Sequence, residues 1–239
     1  MATLLVALLF LFFEVSMNKK AVIFDMDGVI IDSEPLWQEA QIESLASVGV
    51  TVTRQDCEQL TMGKRVDEIA RTWCEMYSLS MPEKELESLI LTKLCNRIST
   101  TGEAMKGVYD ALSFFSQQGL KLALATSSNH VVIKAVFDRL KLWDKFSVIC
   151  SAEDEEHGKP SPDVYLTAAH RLKVDVADCL VIEDSFVGLT AAKSANMMTC
   201  LVSPYCQHSK FTKADKRYVN LDCLLQSYRN SHTCLVLPS

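Results

Sequence analysis

A chain of 239 residues with 49% hydrophobic and 23% charged residues, 8 glycines and 6 prolines is not a disordered, collagen-like or low-complexity protein, and it is long enough to bury a substantial core. Its net charge of -6, with no concentrated basic stripe, argues against nucleic acid as a partner. The 9 cysteines include no CxxC pair and no Cys/His cluster at zinc spacing; they read as reduced thiols in small core positions, Cys200 and Cys206 near His208 included.

Leu4 to Phe13 is an unbroken apolar run. A membrane-spanning helix needs about 20 apolar residues. The run also has no Lys or Arg ahead of it and no small-x-small cleavage site behind it, so neither a membrane span nor an export signal is expected. Residues 1–16 are read as an N-terminal extension or a mis-called start, the cytosolic chain opening at Met17. A chain starting at Met17 is expected to be soluble and fully active; aggregation or lost activity would show that the apolar run packs on the fold. The reading is of a cytoplasmic monomer without a membrane partner.

Ala21 to Phe24 is a short, continuous apolar run that suits a strand buried on both faces of a parallel sheet, and it ends in Asp25-Met26-Asp27-Gly28. Residues 33–104 then turn helical in period over Glu34 to Val48, Arg65 to Tyr77 and Pro82 to Arg97. Leu36, Ala40, Ile42 and Leu45 form the one-sided stripe of a packed helix, as do Leu86, Leu89, Ile90 and Leu94. Further apolar runs follow at Leu120 to Ala125, Ser147 to Cys150, Cys179 to Ile182 and Met198 to Val202, with helical stretches between most of them. The alternation predicts an α/β fold with a mostly parallel sheet and a helical insert after its first strand.

In such a sheet, ligands bind beyond the carboxyl ends of the strands. Asp25 and Asp27, Thr126 and Ser127, and Glu183 and Asp184 all stand at predicted strand ends, and Lys159 lies in a loop before a helix. Together they suit phosphoryl transfer, where charge must be neutralised and a nucleophile held in line. Oxygen-only acidic ligands favour Mg²⁺. One aspartate can attack phosphorus, and a second carboxyl two residues on can pass a proton. Taken singly, each group has a plainer reading: a loop aspartate pair, a turn glycine at Gly28, a helix N-cap at Thr126-Ser127-Ser128, a solvated lysine, and an acidic pair complementing a helix dipole.

Asp25-Met26-Asp27-Gly28-Val29, Thr126, Lys159-Pro160 and Glu183-Asp184-Ser185 resemble, in order and spacing, the four motifs of haloacid dehalogenase-type phosphatases. The resemblance runs from Asn18 to about Leu225. Ser33-Glu34-Pro35-Leu36-Trp37 and the helical insert are most similar to bacterial sugar-phosphate phosphatases of the 2-deoxyglucose-6-phosphatase type.

The resemblance implies a Rossmann-like core from residues 17–32 and 105–239, with residues 33–104 as an inserted cap domain. It implies Asp25 as nucleophile, Asp27 as general acid/base, Thr126 and the Ser127 amide as phosphate ligands, and Lys159 as a neutralising charge. The cofactor would be Mg²⁺, held by Asp25, the Asp27 carbonyl, Asp184 and, directly or through water, Glu183. The cap would read the substrate, a small sugar or polyol monophosphate, with Glu34, Trp37, Lys64 and Arg65 as candidate contacts. Trp37 reads equally as cap core, and Lys64 and Arg65 as a solvated first turn. The alternative activity is a phosphosugar mutase of the β-phosphoglucomutase type. Such mutases carry a histidine and an arginine where this chain has Trp37 and Val66. Dehalogenation, another chemistry of the family, is disfavoured by Asp27, and a non-catalytic role by the complete motif set.

Overall fold

The computed structural model describes residues 19–233; the apolar run at Leu4 to Phe13 lies outside them. Strand β1 (Ala21–Phe24) is wholly buried because it has a parallel neighbour on each edge and an apolar layer on each face. Its alternate residues feed two different clusters, Val22 and Phe24 on one side and Ala21 and Ile23 on the other. β2 (Lys121–Thr126), β3 (Val148–Ser151), β4 (Cys179–Glu183), β5 (Met198–Val202) and β6 (Lys216–Tyr218) complete a parallel sheet of order β3-β2-β1-β4-β5-β6. The predicted strands are present within a residue at either end. β6 was not expected: three residues long and with no fully buried position, it gives no apolar signal and pairs only with β5.

Register decides where the polar groups stand. Phe24 pairs with Leu124 on one side and Ile182 on the other, which brings Asp25 level with the end of β2 and with Glu183. The chain steps outward from β1 to β2 and β3, then crosses to β4 on the far side of β1. That reversal opens a crevice at the carboxyl ends of β1 and β4.

Between β1 and β2 lie α1 (Glu34–Ala46), α2 (Arg54–Leu60), α3 (Val66–Tyr77), α4 (Glu83–Thr101) and α5 (Val108–Gln117). α2 is absent from the sequence reading because it buries only Cys57 and so shows no stripe; a capping box between Thr53 and Asp56 starts it. Inside the insert, Gln41 Oε1 accepts from Trp73 Nε1 and from Thr61 Oγ1, both at 2.8 Å, which ties α1 to α3 and to the end of α2. α4 packs on α1 and also on α6 (His130–Leu140), so one apolar cluster runs from the sheet into the insert. The other face of the sheet carries α7 (Asp163–Leu172), whose Val164, Tyr165, Ala168 and Ala169 meet the small residues Ala123 and Ala125. α8 (Phe186–Ser194) and α9 (Leu221–Thr233) follow β4 and β6.

Cys57, Cys74, Cys150, Cys179, Cys200 and Cys206 are buried free thiols, and His208 Nδ1 accepts the Lys210 amide at 3.2 Å in a local cap. No helix among the described residues is long and apolar enough to cross a membrane.

Candidate active site

β1 gives way to a buried polar residue, Asp25, whose amide still donates to Ile182 O at 3.0 Å and keeps it on the sheet edge. A tight turn follows, in which the Met26 carbonyl accepts from the Ile30 and Ile31 amides at 2.8 and 3.1 Å. Gly28 sits in that turn at φ +74, and a Cβ there would lie 2.2 Å from Asp184 Oδ2. Glycine is needed twice over, for the dihedral and for the close approach.

Lys159 is the hub of the site. Its side chain is 5% exposed, and its Nζ donates to Asp25 Oδ1 and to Glu183 Oε1, each at 2.7 Å. Glu183, fully buried at the end of β4, also accepts from Tyr165 Oη at 2.7 Å on Oε1. Its Oε2 takes the Asp184 and Ser185 amides at 3.1 Å each and Ser185 Oγ at 3.0 Å. Lys159 Nζ lies 4.8 Å from the centroid of the Tyr165 ring.

Burial, with Glu183 adding to it, pushes the Asp25 carboxyl up to about 7 against the pull of Lys159. Burial first, then Glu183 and Asp25, holds Asp184 well above the usual carboxylate range. Burial opposes the charge on Glu183, but Lys159 and its donors outweigh it and hold that carboxyl below its ordinary value. Burial likewise opposes the Lys159 ammonium, and Asp25 and Glu183 hold it charged. The Tyr165 phenol is driven well up by burial and by Glu183, so it stays a donor.

Asp25, Glu183 and Asp184 offer oxygens within 4.8 Å of one another. Three carboxylates against one ammonium, all with hard oxygen donors and two of them resisting ionisation, are a donor set that a small divalent cation would satisfy.

Asp27 points its carboxylate into a separate set of donors. Oδ1 accepts from Ser33 Oγ at 2.5 Å and from Trp37 Nε1 at 3.1 Å. Oδ2 accepts from Ser128 Oγ at 2.7 Å, with Thr126 Oγ1 at 3.5 Å. Thr126 is fully buried at the end of β2 and its Oγ1 also accepts the Ser128 amide at 3.1 Å; Ser127 beside it is partly exposed. The N-cap position belongs to Asn129, and the His130 amide is taken by Glu153 at 2.8 Å, so capping does not occupy the Thr126 hydroxyl.

The insert residues divide. Trp37 is brought to the crevice through its bond to Asp27. Glu34, on the same first turn of α1, accepts from Gln38 Nε2 at 3.0 Å, and burial raises its carboxyl. Arg65 crosses to the sheet side: its Nη1 donates to Ala152 O at 3.4 Å, and its Cδ lies against Gly158, next to Lys159. Lys64 is not gathered in; exposed, it donates to Thr72 Oγ1 at 3.1 Å within the insert. Sequence reasoning assigned nothing to Ser33, Ser128, Tyr165, Ser185 or Gly188. Ser33, Ser128 and Ser185 each lie within a motif named above, and Tyr165 stands six residues after Lys159.

A family profile for haloacid dehalogenase-like hydrolases matches residues 19–196. The chain belongs to the haloacid dehalogenase-like hydrolases. Among relatives of this hydrolase, hexitol phosphatase B of Escherichia coli (strain K12) is 34% identical over 209 residues, covering 87% of this chain and 91% of that protein. A phosphorylated carbohydrates phosphatase of Thermotoga maritima is 34% identical over 178 residues, covering 74% and 82%. The crystal structure of β-phosphoglucomutase from Clostridium difficile superposes with a TM-score of 0.76 at 25% identity, covering 91% of this chain and 98% of that one. With phosphatases as relatives over most of its length, this hydrolase is a phosphatase.

Proposed function

We propose that this hydrolase is a Mg²⁺-dependent phosphatase of small sugar or polyol monophosphates that works through an aspartyl-phosphate on Asp25. The observation that carries the reading is the 2.7 Å bond from Lys159 Nζ to Asp25 Oδ1, with a second, separately held carboxylate, Asp27, two residues on. An Asp25 oxygen attacks phosphorus as the ester P–O bond breaks, and Asp27 gives its proton to the leaving alkoxide. Water then loses a proton to Asp27 and attacks the acyl-phosphate, releasing inorganic phosphate and free Asp25. Thr126 and the Ser127 amide hold the phosphate, and Lys159 offsets charge as it builds.

Asp25, Asp184 and the Asp27 carbonyl would hold Mg²⁺. Glu183, with five donors on its two oxygens, suits the support of Lys159 better than direct ligation. The ion would shield the phosphate from the carboxylates. Residues 33–104 act as a cap, with Trp37, Glu34 and Arg65 nearest the substrate.

The likeness to a β-phosphoglucomutase keeps a phosphosugar mutase as the second reading. Trp37 argues against it: its indole N–H is committed to Asp27, and an indole offers no charge to a second phosphate.

The test is a panel of sugar and polyol monophosphates, with glucose 1-phosphate, 6-phosphate and the bisphosphate, run with Mg²⁺ and with excess EDTA. Phosphate release that disappears with EDTA, with negligible isomer interconversion, is expected. Full activity in EDTA rejects the metal site, and interconversion faster than hydrolysis makes the enzyme a mutase.

A further inference from the structure

We propose that Tyr165 is a positioning residue that keeps Lys159 on the nucleophile Asp25 by sharing the Glu183 oxygen to which Lys159 also donates. The inference rests on the phosphatase reading and adds to it a residue that does not itself touch the phosphate. Tyr165 is fully buried in the first turn of α7, on the face packed against the sheet. Its hydroxyl and the Lys159 ammonium meet the same atom, Glu183 Oε1, each at 2.7 Å, while the ring lies under the ammonium at 4.8 Å.

A lysine head is a compact charge on a flexible stem, so its place is set by what surrounds it. Here it divides its bonds between Asp25 and Glu183. The phenol supplies part of what Glu183 Oε1 requires in a dry site, which leaves the ammonium free to serve Asp25 as well. Without the hydroxyl, Lys159 is the one remaining donor to Oε1 among the described residues. A buried carboxylate short of a donor pulls hardest on the nearest cation, so the ammonium moves toward Glu183 and off Asp25. The loss falls on the transition state, where charge at Asp25 and phosphorus changes, while phosphate held by Thr126 and Ser127 in the ground state is little affected.

Tyr165→Phe tests this, because it removes one oxygen and keeps the ring, its packing and its contact with the ammonium. For a sugar phosphate that the wild type hydrolyses, kcat is expected to fall about tenfold with KM within about twofold. Inhibition by vanadate, which takes the five-coordinate geometry of the transition state, should weaken by the same factor as kcat, with inhibition by inorganic phosphate unchanged. A crystal structure of the variant, read against one of the wild type, should show Lys159 Nζ beyond hydrogen-bond distance of Asp25 Oδ1 and still on Glu183. An unchanged kcat, a rise in KM in place of a fall in kcat, or an unmoved ammonium overturns the proposal. If the wild type releases no phosphate from any ester, the phosphatase reading fails, and the pair of crystal structures still decides whether Tyr165 positions Lys159.

Discussion

Asp25→Asn is expected to lower turnover by on the order of a thousandfold or more, to the limit of phosphate-release assays, while the protein stays folded. An amide cannot supply the oxygen that becomes an acyl-phosphate, yet it matches the carboxylate in size, and its carbonyl oxygen can still accept from Lys159 at the Oδ1 position. The fold should not suffer. Asp25 carries a carboxyl pushed up to about 7, above the unfolded value near 4, so the metal-free protein loses stability through this group as pH rises from about 4 to about 7. The amide removes that penalty, and in EDTA at pH 8 the variant should melt no lower than the wild type. Phosphate release and thermal unfolding measured together check both halves; a tenth of wild-type activity surviving would take the nucleophile role away from Asp25.

Gly188→Ala is expected to damage both stability and activity, although the residue touches no phosphate. A Cβ at this position would sit 1.6 Å from Glu183 Oε1 and 2.0 Å from its carboxyl carbon, with no solvent into which Glu183 could retreat. Either the first turn of α8 lifts away, breaking the 2.9 Å bond from the Gly188 amide to Ser185 Oγ, or Glu183 turns and abandons its donors. Overpacking and a disrupted buried ion pair each cost about 1–3 and 3–5 kcal/mol in other proteins, so a loss of about 3 kcal/mol in denaturant titration is expected. Phosphate release should fall by at least about a hundredfold, because Lys159 loses one of its two carboxylates where Glu183 turns, and the Asp184-Ser185 turn beside the site shifts where α8 lifts. An alanine variant with the wild-type midpoint and activity would mean that the Glu183 pocket is looser than its distances say.

The candidate-site motifs were legible because a strand buried on both faces reads as a near-continuous apolar run, and the polar groups at the ends of β1, β2 and β4 stand out against it. Asp25, Thr126 and Glu183 announce themselves in that way, and parallel register then brings the ends of β1, β2 and β4 to one level. α2 and β6 escaped because one buried cysteine and a three-residue edge give no period to detect.

What the amino-acid order determined by itself is therefore the alternation of elements, the helical insert after β1 and the identity of the groups at the strand ends, since each follows from local patterns of burial. Only the tertiary structure decided the partners. Trp37 packs against the apolar core and also reaches the site, because α1 starts close enough to the turn after β1 for its indole N–H to bond Asp27. Arg65 meets Ala152, and Lys64 does not leave the insert, because of how the insert seats on the loop before Lys159. The donors on Glu183 come from the Lys159 loop, α7 and the turn into α8, segments joined by no sequence period. A buried carboxylate is satisfied by whatever packing brings within hydrogen-bond reach, and that is a property of the folded chain and not of any stretch of it.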